Sequence, residues 1–463
     1  MMKGYLTVFL SLSLSILTAF ILLLTGNAIR NAVKVRYECV VDTGMNAVLS
    51  EFHAELLERY DLIYVDASYL GKQPSVSHVE DRLRYYIEEN TSRIYAQKDA
   101  PWGNLEVQNV VIPYFETAAA GMGASMRNQA ICYVEDTGIS GKEREVPGEM
   151  EEIRALDQGV AMEEWSSIMA QLDGMELPCV LNEEGIWEEV PLSNPADWVY
   201  SLAQSDVLFL ARVNTESISP ANLSLENYIS HRQIENADSN RQEFKREEDL
   251  FLSYLFDKMG YLGRPRESSL LSCQLEYIAK GNASDLENVR AVAEGLLRIR
   301  FADNAACALS DGDLRAQALA AADELEVVSL KEEFKEPVAK SILYACAFLE
   351  SVSDVRAIYE GKSIPVRKSS HSMSVMHVLE GSIYCTDSNQ GWSYDQYLAG
   401  MILLVGEEKI NLRTMDIMEM DIRLHDGNHN FKMDWCIERY EANVSAIGDY
   451  GSHYDLRRLY GYF

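Results

Sequence analysis

A chain of 463 residues is long for one domain and comfortable for two or three. Its 47% hydrophobic and 24% charged residues exclude disorder as the main state, and 27 glycines and 11 prolines exclude a collagen-like or low-complexity chain. With 41 basic against 72 acidic residues the net charge is −31, which repels phosphate backbones and argues against a general nucleic-acid-binding role.

The charge is unevenly placed. Residues 1–36 hold Lys3, Arg30, Lys34 and Arg36 and no acid, so the remainder carries 37 bases against 72 acids, a net charge of −35. Within this head, Tyr5 to Leu24 is a run of 20 residues without a charge. As a helix it spans roughly 30 Å, the hydrocarbon thickness of a bilayer. Its polar groups are Thr7, Ser11, Ser13, Ser15 and Thr18, hydroxyls that bond back to the preceding turn. The run reads as an uncleaved single-pass anchor. The competing signal-peptide reading rests on a weak small-x-small site at Gly26-Asn27-Ala28. A plain positive-inside count, with Arg30, Lys34 and Arg36 after the span, places the body in the cytoplasm.

Beyond the anchor, Val41, Met45, Val48, Phe52 and Leu56 recur at helical spacing and predict an amphipathic stalk, with Thr43-Gly44 as a point where it kinks. A second amphipathic helix is predicted over His78–Gln97, a strand over Leu105–Tyr114 and a helix over Thr117–Val134. Residues 139–158 and 225–250 read as exposed polar connections. Ser269–Ala279 reads as a strand. Ser284-Asp285-Leu286-Glu287 forms a capping box that opens a helix to about Phe301. Further helices are expected over 313–326, 335–359, 393–405 and 411–424, a short strand or turn over Ser363–Lys368, and a strand over Phe431–Ile447.

No catalytic constellation stands out. GxSxG, P-loop and dinucleotide fingerprints are absent, and Gly121-Met122-Gly123 lacks the third glycine. The best metal candidate is His425-Asp426-Gly427-Asn428-His429, whose glycine and asparagine instead suit a solvated turn. The acids Glu149, Glu151, Glu152, Glu247 and Glu248 lack calcium-loop spacing. Eight scattered cysteines, Cys39, Cys132, Cys179, Cys273, Cys307, Cys346, Cys385 and Cys436, contain no CxxC pair and suit buried free thiols or disulfides. No catalytic, cofactor or metal residue is assigned.

Taken together, the chain resembles a membrane-anchored bacterial family, that of domain of unknown function 5702, common in Firmicutes. The resemblance is carried by Met2-Lys3-Gly4 with Thr7-Val8-Phe9-Leu10, by Glu55 to Leu62, and by Arg127 to Ala130 with Tyr133. It continues through Glu276-Tyr277-Ile278, Gly281, Ser284-Asp285 and Glu287-Asn288. It then runs through Glu350-Ser351, Asp354-Val355-Arg356, Gly361-Lys362 and Pro365, and ends on Tyr394, Tyr397-Leu398, Arg413, Met415 and Asp416.

The resemblance implies a companion of Tad-type (Flp) pilus machinery, similar to TadE/TadG-like pseudopilins. Gly4 would then be the last leader residue and Tyr5 the first mature one. Phe9 stands where a pilin usually has glutamate. The resemblance also implies, against the local charge count, a cytoplasmic N-terminus and a body outside the membrane from about residue 27. Glu350, Asp354 and Arg356 are expected to form a buried ion network.

The expected fold class is α+β: an N-terminal transmembrane helix continuing into an amphipathic stalk helix, then a mixed helical and strand extracytoplasmic body. The divisions are 1–26 for leader and transmembrane helix, 27–66 for the stalk, 67–260 mixed α/β, 261–375 helix-rich and 376–463 α+β. The expected function is non-enzymatic, as a component of a Tad-like type IV pilus or secretion apparatus. Its partners are membrane lipid through residues 5–24 and other pilus or pseudopilin subunits, with no nucleic acid and no cofactor. Alternatives are a surface binding module or adhesin and, behind it, a metal-dependent hydrolase using His425 and His429.

Overall fold

In the computed structural model one uninterrupted helix of 48 residues, α1 (Met2–Leu49), carries the whole apolar run. The hydroxyls inside it bond back as expected: Ser11 Oγ donates to the Val8 carbonyl at 2.9 Å and Ser15 Oγ to that of Ser11 at 2.8 Å. The large apolar side chains from Tyr5 to Leu24 are all more than half exposed. The helix is long and apolar enough to cross a membrane.

The structure describes residues 2–69, 71–93, 105–139, 146, 148–182, 185–239, 247–368, 372–383, 390–448 and 451–462. After α1 come α2 (Ala54–Tyr60), β1 (Val65–Asp66), α3 (Val76–Arg93), β2 (Leu105–Thr117), α4 (Ala120–Thr137), α5 (Met150–Asp157) and α6 (Ala161–Asp173). Then follow β3 (Cys179–Leu181), β4 (Trp187–Glu189), α7 (Asp197–Ala203), α8 (Val207–Ala211), α9 (Glu248–Lys258), α10 (Gln274–Lys280) and α11 (Asp285–Ser310). The chain ends with α12 (Gly312–Asp323), α13 (Glu326–Leu330), α14 (Lys335–Tyr359), α15 (Val375–Glu380), α16 (Tyr394–Leu403), α17 (Glu407–Arg423), β5 (Cys436–Gly448) and β6 (Ser452–Gly461). The fold is mixed α+β. It divides into unit 1 (Met1–Ala130, Glu226–Lys245, Met415–Phe463) and unit 2 (Ile131–Leu225, Arg246–Thr414).

Unit 1 is built on β5. β2 pairs antiparallel along one side of it, and β1 and β6 share the other. The second half of α1 buries Tyr37, Val41, Met45 and Val48 with Leu83 and Ile87 of α3 and with Tyr440 and Val444 of β5. Tyr37 Oη donates to the Val444 carbonyl at 2.7 Å, and Tyr440 Oη to that of Met45 at 3.1 Å. The stripe predicted to Leu56 is therefore a helix only as far as Leu49. Phe52 lies in the connection, 38% exposed, while Leu56 belongs to α2. No kink occurs at Thr43-Gly44, because Gly44 is there for close packing: a Cβ would sit 3.0 Å from the Ile87 side chain.

Unit 2 surrounds α14, a 25-residue helix buried on every face from Ile342 to Ile358. α11, α12, α6, α7, α8 and α15 pack against it. Burial all round erases the periodicity by which a helix shows itself in sequence. α10, which the sequence assigns as a strand, lacks the same contrast and at seven residues has a strand's length, whereas α14 is long enough to read as a helix without it. Gln274 to Ala279 are all buried, and the Asp285 carboxylate caps the helix start by accepting from Ser272 N at 2.8 Å.

Two predicted polar connections are also corrected. Residues 150–157 form α5, whose Ile153 and Leu156 are buried. In the 225–250 stretch, Arg232 inserts between Glu419 and Asp434, both fully buried, at 2.7 and 2.5 Å. Such a polar side chain looks solvated in sequence but is tied down by ion pairs. Phe431 to Trp435 precede β5 as a turn and a 3-10 segment rather than strand. Predicted residues 94–97, 140–145, 147 and 240–246, and Cys385, lie outside the described residues. The seven described cysteines are free thiols, with Cys273, Cys346 and Cys436 buried.

Candidate functional site

Several residues of the family-like motifs make contacts that tie elements of the fold together. In α10, Glu276 Oε1 accepts from Leu262 N and from Tyr394 Oη, both at 2.8 Å. Gly281 ends the helix at φ +74, and a Cβ there would strike the Arg413 guanidinium, whose Nη1 donates to the Ile278 carbonyl at 2.8 Å. Ser284 caps α11 by accepting from Glu287 N at 3.3 Å, which is the serine half of the predicted capping box. Asn288 holds both N–H and C=O of Asn282.

Glu350 and Asp354 lie in the expected buried ion network. Lys368 donates to both, and Arg300 Nε donates to Asp354 Oδ2 at 3.0 Å. Arg300 also reaches Asp303 at 3.0 Å and the Val366 carbonyl at 2.8 Å. Arg356 lies two residues beyond Asp354 on α14. Its Nε donates to the Leu210 carbonyl at 2.6 Å. In unit 1, Gln129 clamps Ile63 through both backbone groups, and Asp416 accepts from Ser230 N at 2.9 Å.

The predicted histidine pair is not brought to one point. His425 Nδ1 faces Glu55 at 4.0 Å, whereas the His429 ring lies against Gly71. Among the described residues no group of three His, Cys, Asp or Glu side chains is placed to hold a metal. Of the three bases after the apolar run, Arg36 is spent on α3, donating to the Thr91 carbonyl at 3.1 Å. Arg30 and Lys34 are exposed.

What the sequence does not bring forward is a recess of about 650 Å³ in unit 1, lined by Glu51, His53, Asp66, Tyr69, His78 and Arg82, among others. Four separate stretches converge on it: the α1–α2 connection, the chain after β1, the first turns of α3 and the loop after α17. Glu51 accepts from Arg82 Nε at 3.0 Å, from Tyr86 Oη at 2.6 Å and from Tyr69 Oη at 3.2 Å. Burial pushes its carboxyl up, but these bonds and the Arg82 charge together carry it below the ordinary value. Asp66 goes the other way. Burial dominates and raises it, against the hydrogen bonds from Ser68 and the facing His53 and His78.

The histidine tautomers follow from their partners. His53 Nδ1 accepts from Leu56 N at 3.3 Å, so Nε2 carries the proton toward Asn428 Oδ1 at 3.4 Å. His78 Nδ1 lies 2.9 Å from the Ala67 carbonyl and donates to it. The Ser68 hydroxyl donates to Asp66. Glu51, His53, Asp66 and His78 are each held by a hydrogen bond to a neighbouring group. Asp426 and Asn428 belong to the 425–429 segment that the sequence singles out, but no local signal joins them to the stretches around Glu51, Asp66 and His78, which only folding brings together.

One long apolar helix joined to an α+β body in two units defines a class of chain that has, among the described residues, one candidate membrane span. Residues 185–447 match the family of unknown function DUF5702, and the chain belongs to that family. No curated protein and no solved structure matches it.

Proposed function

We propose that the protein is a non-enzymatic, single-pass membrane component of a Tad-like pilus or secretion apparatus, with its N-terminus cytoplasmic and its body outside. The observation that carries this is the continuity of α1. The first half of one helix is apolar and exposed, and the second half is a buried layer of unit 1. A short basic leader, an apolar helix and a body built onto that helix are what a pilin-type subunit uses. The apolar half would pack beside other membrane helices, with Ser11, Ser13 and Ser15 allowing close approach. The motif residues that resemble the family's pattern serve as structural joints, which supports an architectural role over a chemical one.

The test has two parts. Deletion of the gene is expected to abolish or shorten surface pili, and unchanged pili with unchanged adhesion would sink the proposal. For topology, Ser217→Cys in a variant lacking native cysteines is expected to react with an impermeant thiol reagent on intact cells. Reaction only after lysis would place the body in the cytoplasm and exclude the pilus role.

A further inference from the structure

The unit 1 sheet ends in two edges that are finished differently. On the β2 side the strand is broken by three register shifts, contains Pro113, and has its Ile112 N–H bonded to Glu80 at 2.8 Å. Bulges, proline and side-chain capping are the usual devices that stop an edge from recruiting another strand. β6 has none of them. It runs ten residues without proline and pairs with β5 at every position from Arg439↔Gly461 to Gly448↔Ser452 with no shift. Among the described residues its other edge pairs with nothing.

The core beneath β6 is also unfinished. Tyr454, Leu456 and Tyr460 face the α1 side and pack against the unit 1 core, yet each remains half-buried. Arg458 on the same face reaches Glu38 and Asp42 of α1 at 3.7 and 3.5 Å. The opposite face shows His453, Asp455, Arg457 and Leu459, all exposed. We infer that β6 is a docking edge for an extended strand of a partner polypeptide, which completes the sheet by antiparallel addition.

The occupant's chemistry follows from the two faces. Opposite Tyr454, Leu456 and Tyr460 it presents apolar side chains, which finish the core. On the outer face it presents a base across from Asp455 and an acid across from Arg457, since like charges directly opposite oppose pairing. Register is thereby specified, because a shift of two residues brings like charge to like. The inference does not depend on the pilus reading, because the open edge is read from the described residues of unit 1 alone.

A probe with the required pattern is a peptide of residues 452–461 carrying Ser452→Val and Arg458→Val, the two positions that stand opposite Tyr460 and Tyr454. Laid antiparallel with Leu456 opposite Leu456, it places its arginine at 457 across from Asp455 and its aspartate at 455 across from Arg457. The full-length protein in detergent micelles is expected to bind the labelled peptide in a fluorescence anisotropy titration. Hydrogen exchange is expected to slow at alternate amides of β6 and not in β2. Asp455→Lys in the protein, an exposed position, is expected to weaken binding at least tenfold. A peptide with glutamate in place of the arginine at 457 is expected to restore it. Absence of binding, binding indifferent to the charge exchange, or protection confined to β2 would overturn the assignment. Exchange of the unliganded Asp455→Lys protein matching wild type elsewhere verifies that the variant is folded.

Discussion

Replacing Glu276 by glutamine tests whether a buried acid costs unit 2 stability at neutral pH. The carboxyl is fully buried, and its Oε2 finds no donor among the described residues. Burial raises it from 4.5 to about 7, against the bonds from Leu262 N and Tyr394 Oη, with nearby Asp285 adding to the rise. A folded-state value above the unfolded one means that the folded chain holds a proton that the unfolded chain has released. The contribution is complete below pH 4.5 and is lost as pH rises through about 7. A shift of that size corresponds to on the order of 3 kcal/mol. Glutamine keeps the acceptor for Leu262 and Tyr394 but never ionises. Its amide N–H then needs a partner, at about 1–2 kcal/mol if none is found. Near pH 4.5 the variant is expected to be equal to or slightly less stable than wild type. At pH 8 it is expected to be more stable by on the order of 2 kcal/mol, the shift less the amide penalty. Urea unfolding of the full chain in detergent, followed by tryptophan fluorescence between pH 4.5 and 8, reads the difference. The difference between the two curves cancels the similar slope expected from buried Glu419, also raised to about 7. Parallel curves across the whole range would refute the reasoning.

Other consequences are accessible to simpler measurements. Lys368→Met leaves Glu350 and Asp354 short of a counter-charge and is expected to cost about 3–5 kcal/mol, seen as a lower urea midpoint. A variant as stable as wild type would show that the network is dispensable. Gly281→Ala forces a side chain into the left-handed region and onto Arg413, so a loss of about 1–3 kcal/mol is expected by the same assay. Leu17→Arg puts a charge in the middle of the exposed apolar run and is expected to cost about 2.5–3.5 kcal/mol of insertion. Carbonate extraction would then release the variant, and full retention in the membrane fraction would argue against that run as the anchor.

The apolar helix was legible because insertion depends on a local quantity, the length of an uncharged run, which one segment contains completely. The helices at 335–359, 393–405 and 411–424 were legible for a similar reason, and so was the Ser284 cap, whose partner is three residues away. α10 was not, because its neighbours bury every face and its seven residues are no longer than a strand. Arg232 read as solvated for want of its partners, Glu419 and Asp434, which lie nearly two hundred residues further on. Folding likewise brings Asn428 to the stretch from Glu51 to Arg82 around the recess, and Tyr394 to Glu276, 118 residues away in the chain. The open edge of β6 is likewise invisible in its alternating sequence, which would suit a central strand equally well. Sequence by itself determined the apolar run long enough to cross a membrane, the acidic charge balance and the family. Only the tertiary structure decided which charges are paired, which cavity they line and which sheet edge is left free, because those depend on residues that meet only when the chain is folded.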